Sequence, residues 1–250
     1  MNNKDIWRYC ISLLLLTQTI WSQESPPEEK AAAAVTDSIA PATIPYTLRF
    51  GVDLYRLVLS QASPDFSGQE LVADLRVYNN FYAALEIGNE SKTKQYEEVN
   101  ITAKGSYFKL GFDLNMYENW EGMNNQVYLG LRYAHSVHQQ QLNAYTILDR
   151  DPYWPRTEVV NNFATGNREG LNASWAEVVV GTKVQVLKNV YLGFSARMHV
   201  LISDKIPEKF DNIYIPGFNK KTTDNKFGAS FNYSLTYSIP FLRTAKKKKD

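Results

Sequence analysis

The stretch FGASFNYSLTYSIPF, residues 227–241, decides how the rest of the chain is read. Phe227, Ala229, Phe231, Tyr233, Leu235, Tyr237 and Ile239 occupy alternate positions, with Gly228, Ser230, Asn232, Ser234, Thr236 and Ser238 between them. A period of two puts every ring and branched chain on one face of a strand and every small polar residue on the other. The apolar face is too long for a strand that merely caps a small core.

The same alternation recurs upstream, giving eight strand-like segments between residues 46 and 241. Leu48, Phe50, Val52 and Leu54 oppose Arg49, Gly51 and Asp53; Leu71, Ala73, Leu75 and Val77 oppose Asp74, Arg76 and Tyr78. Phe81, Ala83, Leu85 and Ile87 oppose Tyr82, Glu86 and Gly88; Phe108, Leu110, Phe112 and Leu114 oppose Lys109, Gly111 and Asp113. Val127, Leu129, Leu131 and Tyr133 oppose Gly130, Arg132 and Ser136; Val178, Val180 and Val184 oppose Glu177, Gly181 and Lys183. Leu192, Phe194, Ala196 and Met198 oppose Gly193, Ser195, Arg197 and His199 before the last strand begins. The polar face mixes acids, bases and glycines. Glycine weakens an exposed strand but leaves room for large neighbours inside a narrow barrel.

The connections alternate in length. Asn79-Asn80 and Lys188-Asn189 are tight turns with residues that tolerate positive φ, and residues 119–125 make a modest link. Residues 60–68, 89–100, 137–173 and 203–225 read as longer loops. Short turns on one side and long loops on the other match an eight-stranded antiparallel up-and-down transmembrane β-barrel, with its apolar face toward lipid. Tyr46, Tyr78, Phe81, Tyr117, Trp120, Tyr191, Tyr237 and Phe241 fall at the short-turn ends, where an aromatic girdle belongs, and Tyr133 and Trp175 fall toward the other rim.

The chain has 250 residues, a net charge of +1 and one cysteine. Near-neutral charge argues against nucleic acid as a partner. Residues 1–23 read as a signal peptide, with Lys4 and Arg8 ahead of the apolar run from Ile11 to Leu16 and cleavage near Gln23. Its removal takes away Cys10 and so excludes disulfides and thiolate chemistry. Residues 24–45, with Pro26, Pro27, the Ala31–Ala34 run and Pro41, read as a periplasmic linker, and residues 242–250, with Lys246–Lys249, as a basic periplasmic tail.

The closing segment FNYSLTYSIPF, residues 231–241, resembles the last strand of outer-membrane barrel proteins of the Bacteroidota, and the whole pattern resembles small eight-stranded barrels of the OmpA/OmpX type. That resemblance implies residence in the outer membrane of a Gram-negative bacterium, with periplasmic termini and outer-membrane lipid around the strands. It also implies that barrel-assembly machinery reads Phe241, although residues 242–250 follow that aromatic. It transfers no catalytic residue.

Eight strands leave an interior just wide enough for side chains to fill. Asp74, Arg76, Glu86, Lys109, Asp113 and Arg132 are therefore expected to join as an interior ion-pair cluster, with a gated ion path as the alternative. The sequence TyrTrpProArg at 153–156 offers Tyr153, Trp154 and Arg156 for contact with an extracellular ligand or protein, or for packing over the barrel mouth. Three histidines invite an enzyme reading. His135 beside Ser136 has the residue types of an outer-leaflet lipid A-modifying enzyme, and His199 shares its face with Ser195, but no acid partner is evident. No metal-ligand spacing and no cofactor motif is found. The leading reading is a non-enzymatic barrel with a structural or surface-interaction role through its long outer loops and no large pore; the lipid-modifying enzyme is the second, and a soluble lipocalin-like carrier, which requires the apolar face to point inward, is the third.

Overall fold

A computed structural model describes residues 45–117, 125–147, 157–160, 166–206, 211–221 and 226–243. The signal-peptide segment, nearly all of the linker, residues 244–250 and Tyr153, Trp154 and Arg156 lie outside these. The elements are β1 (Pro45–Asp53), α1 (Leu54–Ala62), β2 (Phe66–Tyr78), β3 (Phe81–Gln95), β4 (Val99–Asn115) and β5 (Gln126–Ile147). Then come β6 (Thr157–Val160), β7 (Gly166–Leu187), β8 (Val190–Asp204), β9 (Tyr214–Ile215), β10 (Asn219–Lys220) and β11 (Phe227–Arg243).

Eight antiparallel strands close into a ring in the order β1, β2, β3, β4, β5, β7, β8, β11, with β11 returning to β1 from Pro45↔Arg243 to Asp53↔Ser234. Closure leaves the main ring without a free edge at its centre. Asn79 and Asn189 take φ of 32° and 66° in the two tight turns, which is why asparagine serves there. The apolar face looks outward all round. Leu110 is 50% and Phe231 62% exposed, whereas Arg49 and Lys109 are 0% and 1% exposed.

The girdle divides. Tyr78, Phe81, Tyr117 and Tyr237 are exposed near the turn end, but Tyr191 and Trp175 are buried. Tyr78 was expected inward; a register shift between Arg76 and Tyr78 turns it out.

All four of the expected long loops contain more structure than the hydrophobic alternation signals. Pairing of β3 with β4 continues from Gly88↔Tyr107 to Gln95↔Asn100, so most of residues 89–100 are strand. β5 and β7 likewise extend as far as Leu142↔Gly166, with β6 adding to β5 beyond. Here both faces are polar or mixed, so the ladder persists after the apolar pattern has stopped. Residues 54–62 form α1 instead of strand and loop, started by Asp53, whose carboxylate accepts the Tyr55 N–H at 2.8 Å. In the connection after β8, Tyr214, Ile215 and Phe218 turn into the barrel and are buried. Ile215 and Phe218 pack with Tyr107, Ala134, Ala173, Trp175 and Leu201.

Candidate functional site

Strand pleating sends the charged set into the lumen, where two groups form. Near the turn end, Asp74 takes Arg49 at 2.6 Å and Lys183 at 2.5 Å, and Arg49 also donates to Gln126 Oε1 at 2.7 Å. The Arg49 guanidinium lies against the rings of Tyr82 and Tyr191, so a buried cation meets two π faces and a carboxylate.

The larger group lies in the middle of the barrel. Arg132 reaches Asp113 at 2.7 Å and Glu86 at 3.5 Å; Lys109 lies 3.7 Å from Glu86 and 3.0 Å from Glu177; Arg197 reaches across from β8 to Glu86 at 2.5 Å. Thus Glu86, Lys109, Arg132 and Asp113 lie together in this group. Asp74 belongs to the turn-end group instead. Arg76 joins neither: it is half-buried at the strand end, and its Nε donates to the Asn79 carbonyl at 2.6 Å. The position before a tight turn gives it a backbone acceptor and water, so no carboxylate is needed.

Toward the loop end the network continues through Asp53 and Asn232, which the alternation turns inward, and through Arg56, Glu70, Glu90, Tyr107 and Tyr214, which the alternation does not mark. Arg56 from α1 lies 3.3 Å from both Glu70 and Glu90 and 3.4 Å from Asp53. Tyr107 donates to Glu70 at 2.6 Å, Asn232 donates to the same carboxylate at 3.0 Å, and Tyr214 donates to Glu90. Glu70 and Glu90 lie just past the apolar alternation on β2 and β3. The signal for Arg56 is an amphipathic run after an N-capping Asp53. In the centre, Asp74, Glu86, Tyr128, Arg132, Lys183 and Arg197 surround a void of about 20 Å³.

The histidines divide differently from the sequence reading. His135 Nδ1 lies 2.9 Å from Ser174 Oγ and its ring tilts against Phe108, with no carboxylate contacting it among the described residues. Ser136 is buried. His199 does not pair with Ser195, which receives Arg197 Nε at 3.3 Å. Its Nε2 lies 2.8 Å from Ser230 Oγ and its Nδ1 2.9 Å from Glu177 Oε1. Among the described residues no group of three or more His, Cys, Asp or Glu is arranged to hold a metal ion. Phe241 lies within β11.

No curated protein matches the chain. Among solved structures, the crystal structure of Neisserial surface protein A (NspA) aligns with a TM-score of 0.36 and 11% identity over 78% of this chain and 95% of that one. A family model matches residues 6–244. The chain belongs to the family described as a domain of unknown function, DUF6048.

Proposed function

We propose that this is an integral outer-membrane barrel of a Gram-negative bacterium, with periplasmic termini and a lumen closed by its own side chains. Its loop end, including Tyr153, Trp154 and Arg156, is the surface that meets an extracellular ligand or protein. Outer-membrane lipid surrounds the strands, and barrel-assembly machinery inserts the chain through its Phe241-bearing last strand.

One observation carries the reading: a belt of exposed apolar side chains encircles a ring whose interior is ionic. A soluble chain rarely exposes a contiguous apolar surface of that kind, whereas a bilayer requires it. The polarity is opposite to that of a lipocalin-like carrier. The void of about 20 Å³ among the lumenal side chains has room for a water molecule. Ion pairs among Asp74, Arg49, Lys183, Glu86, Arg132 and Arg197 line or border it, which favours a plug over a gated path.

The test expresses the full chain in a Gram-negative host and fractionates the membranes. The account expects a detergent-extractable species whose gel mobility shifts on heating. Leu110→Arg and Phe231→Arg each reduce insertion, since an arginine facing lipid costs about 2–4 kcal/mol near the midplane. Recovery of the wild-type chain as a water-soluble monomer contradicts the proposal.

A further inference from the structure

The ring is incomplete at one place. β1 stops at Asp53, opposite Ser234, yet β11 continues from Tyr233 to Phe227 paired, among the described residues, only with β8. On the other side β2 continues from Glu70 to Phe66 paired only with β3. The missing half-strand is replaced by α1, which packs against both β2 and β11. A cavity of about 420 Å³ lies at this gap. Its lining includes Phe231 and Tyr233, which are on the outward face of β11, and Ser230, which alternates with them toward the lumen. Rings on one side and polar groups on the other suit an amphiphile that keeps its chain toward the bilayer and its polar end toward Ser230.

Ser230 is the first member of a three-residue arrangement. Its Oγ lies 2.8 Å from His199 Nε2, and His199 Nδ1 lies 2.9 Å from Glu177 Oε1. Glu177 and His199 are direct partners in the β7–β8 ladder, and Ser230 stands two residues from Gly228, the partner of His199 on β11. The carboxylate is itself fixed, because its Oε1 accepts from Trp175 Nε1 at 2.7 Å and faces Lys109 at 3.0 Å. Phe218 packs edge-on against the imidazole. With its proton on Nδ1, the imidazole presents the Nε2 lone pair to the serine hydroxyl, the requirement for a base that activates a nucleophile.

We propose that Ser230, His199 and Glu177 form a nucleophile relay that hydrolyses carboxylic esters of long-chain acyl lipids entering from the bilayer at the gap between β2 and β11. Ser230 Oγ adds to the ester carbonyl carbon while its proton passes to His199 Nε2. The bond to the alcohol oxygen breaks, the alcohol leaves with that proton, and the acyl group remains esterified to Ser230. Water then adds to the acyl carbon and gives a proton to Nε2; the bond to Ser230 breaks, the serine recovers the proton, and a carboxylic acid departs. One ester and one water become one acid and one alcohol, without oxidation or reduction. Lys92 lines the same cavity and supplies positive charge for an anionic headgroup, while Arg56, also in the lining, is held by Glu70, Glu90 and Asp53. The proposal goes beyond the barrel reading and uses the wall gap, so it does not depend on a closed lumen.

The experiment uses the full chain reconstituted in vesicles of dioleoylphosphatidylglycerol, with barrel formation checked by heat-dependent gel migration. A fluorophosphonate probe is expected to add to Ser230, located by peptide mass spectrometry, and the vesicles to release oleic acid. Ser230→Ala, a mild change that keeps the gel shift, removes the adduct and lowers release by about a thousandfold or more. His199→Gln lowers both rates by a similar order. A dodecanoyl p-nitrophenyl ester is cleaved at least about tenfold faster than the acetyl ester, since each buried methylene adds binding. Absence of the adduct from folded wild type, oleate release that persists in Ser230→Ala, or equal rates for the two esters overturns the proposal.

Discussion

Gly181 and Tyr128 face each other across the β7–β5 ladder, and a Cβ placed on Gly181 would lie 2.6 Å from the tyrosine hydroxyl and 2.8 Å from the Phe194 carbonyl. The glycine is the space into which the ring folds. That ring in turn lies beneath the Lys183 ammonium, which is bound to Asp74. A small residue on one strand thus sets the position of a cation on the lumenal face of its own strand.

Gly181→Ala is accordingly expected to destabilise the barrel by about 1–3 kcal/mol, the usual cost of overpacking a filled interior. Urea unfolding in vesicles measures it. Combining the change with Tyr128→Ala should cost less than the sum of the two single changes, because the neighbour that clashes is gone. Strict additivity would mean that the ring does not occupy that space.

The Asp113–Arg132 pair gives a second expectation. Its 2.7 Å contact is buried on both sides. Asp113→Leu leaves the buried guanidinium with only the more distant Glu86 carboxylate and is expected to cost up to about 3–5 kcal/mol. Pairing it with Arg132→Met removes both charges and recovers most of the loss, though not all, since Arg132 also serves Glu86 at 3.5 Å. Urea midpoints of the four proteins give the coupling directly; single and double variants of equal stability would contradict a buried pair.

Strong acid should loosen the segment that returns into the barrel. Asp204, at the end of β8, is pushed upward by burial, but hydrogen bonds from Lys221 Nζ at 2.6 Å and Asn212 Nδ2 at 3.0 Å more than offset this and hold its carboxyl below the ordinary range. A depressed folded pKa means that the contact helps fully above the unfolded value of about 3.9 and is lost as pH falls through the lower folded value. Hydrogen exchange across residues 211–221 is therefore expected to quicken in that acid window. Asp204→Asn should show faster exchange already at pH 7 and a smaller further change on acidification. Identical pH profiles for the two proteins would exclude the role.

The outward face of every strand was legible because the bilayer-sized period-two pattern is strong: Leu110, Leu131, Val180 and Phe231 all point out. The turns at Asn79 and Asn189 were legible through the φ they require. Glu70 and Glu90 carry no signal in the alternation because hydrogen-bonded pairing outlasts the apolar band. Arg56 was hidden in a stretch read as strand and loop. The cross-lumen contacts were beyond sequence for another reason. Arg197 meets Glu86, and Ser230 meets His199, at positions set by the register of neighbouring strands and the width of the ring. Neither quantity is encoded in any one segment.

The central claim, that the apolar face looks at hydrocarbon, is tested most directly by nitroxide labels in a Cys10→Ala background. Single cysteines at Leu110, Leu131 and Phe231 are compared with one at the exposed Lys104. After reconstitution in vesicles, labels at the three apolar positions are expected to collide readily with oxygen and poorly with a water-soluble nickel chelate, with the reverse at 104. Ready access of the chelate to all four sites would contradict the account.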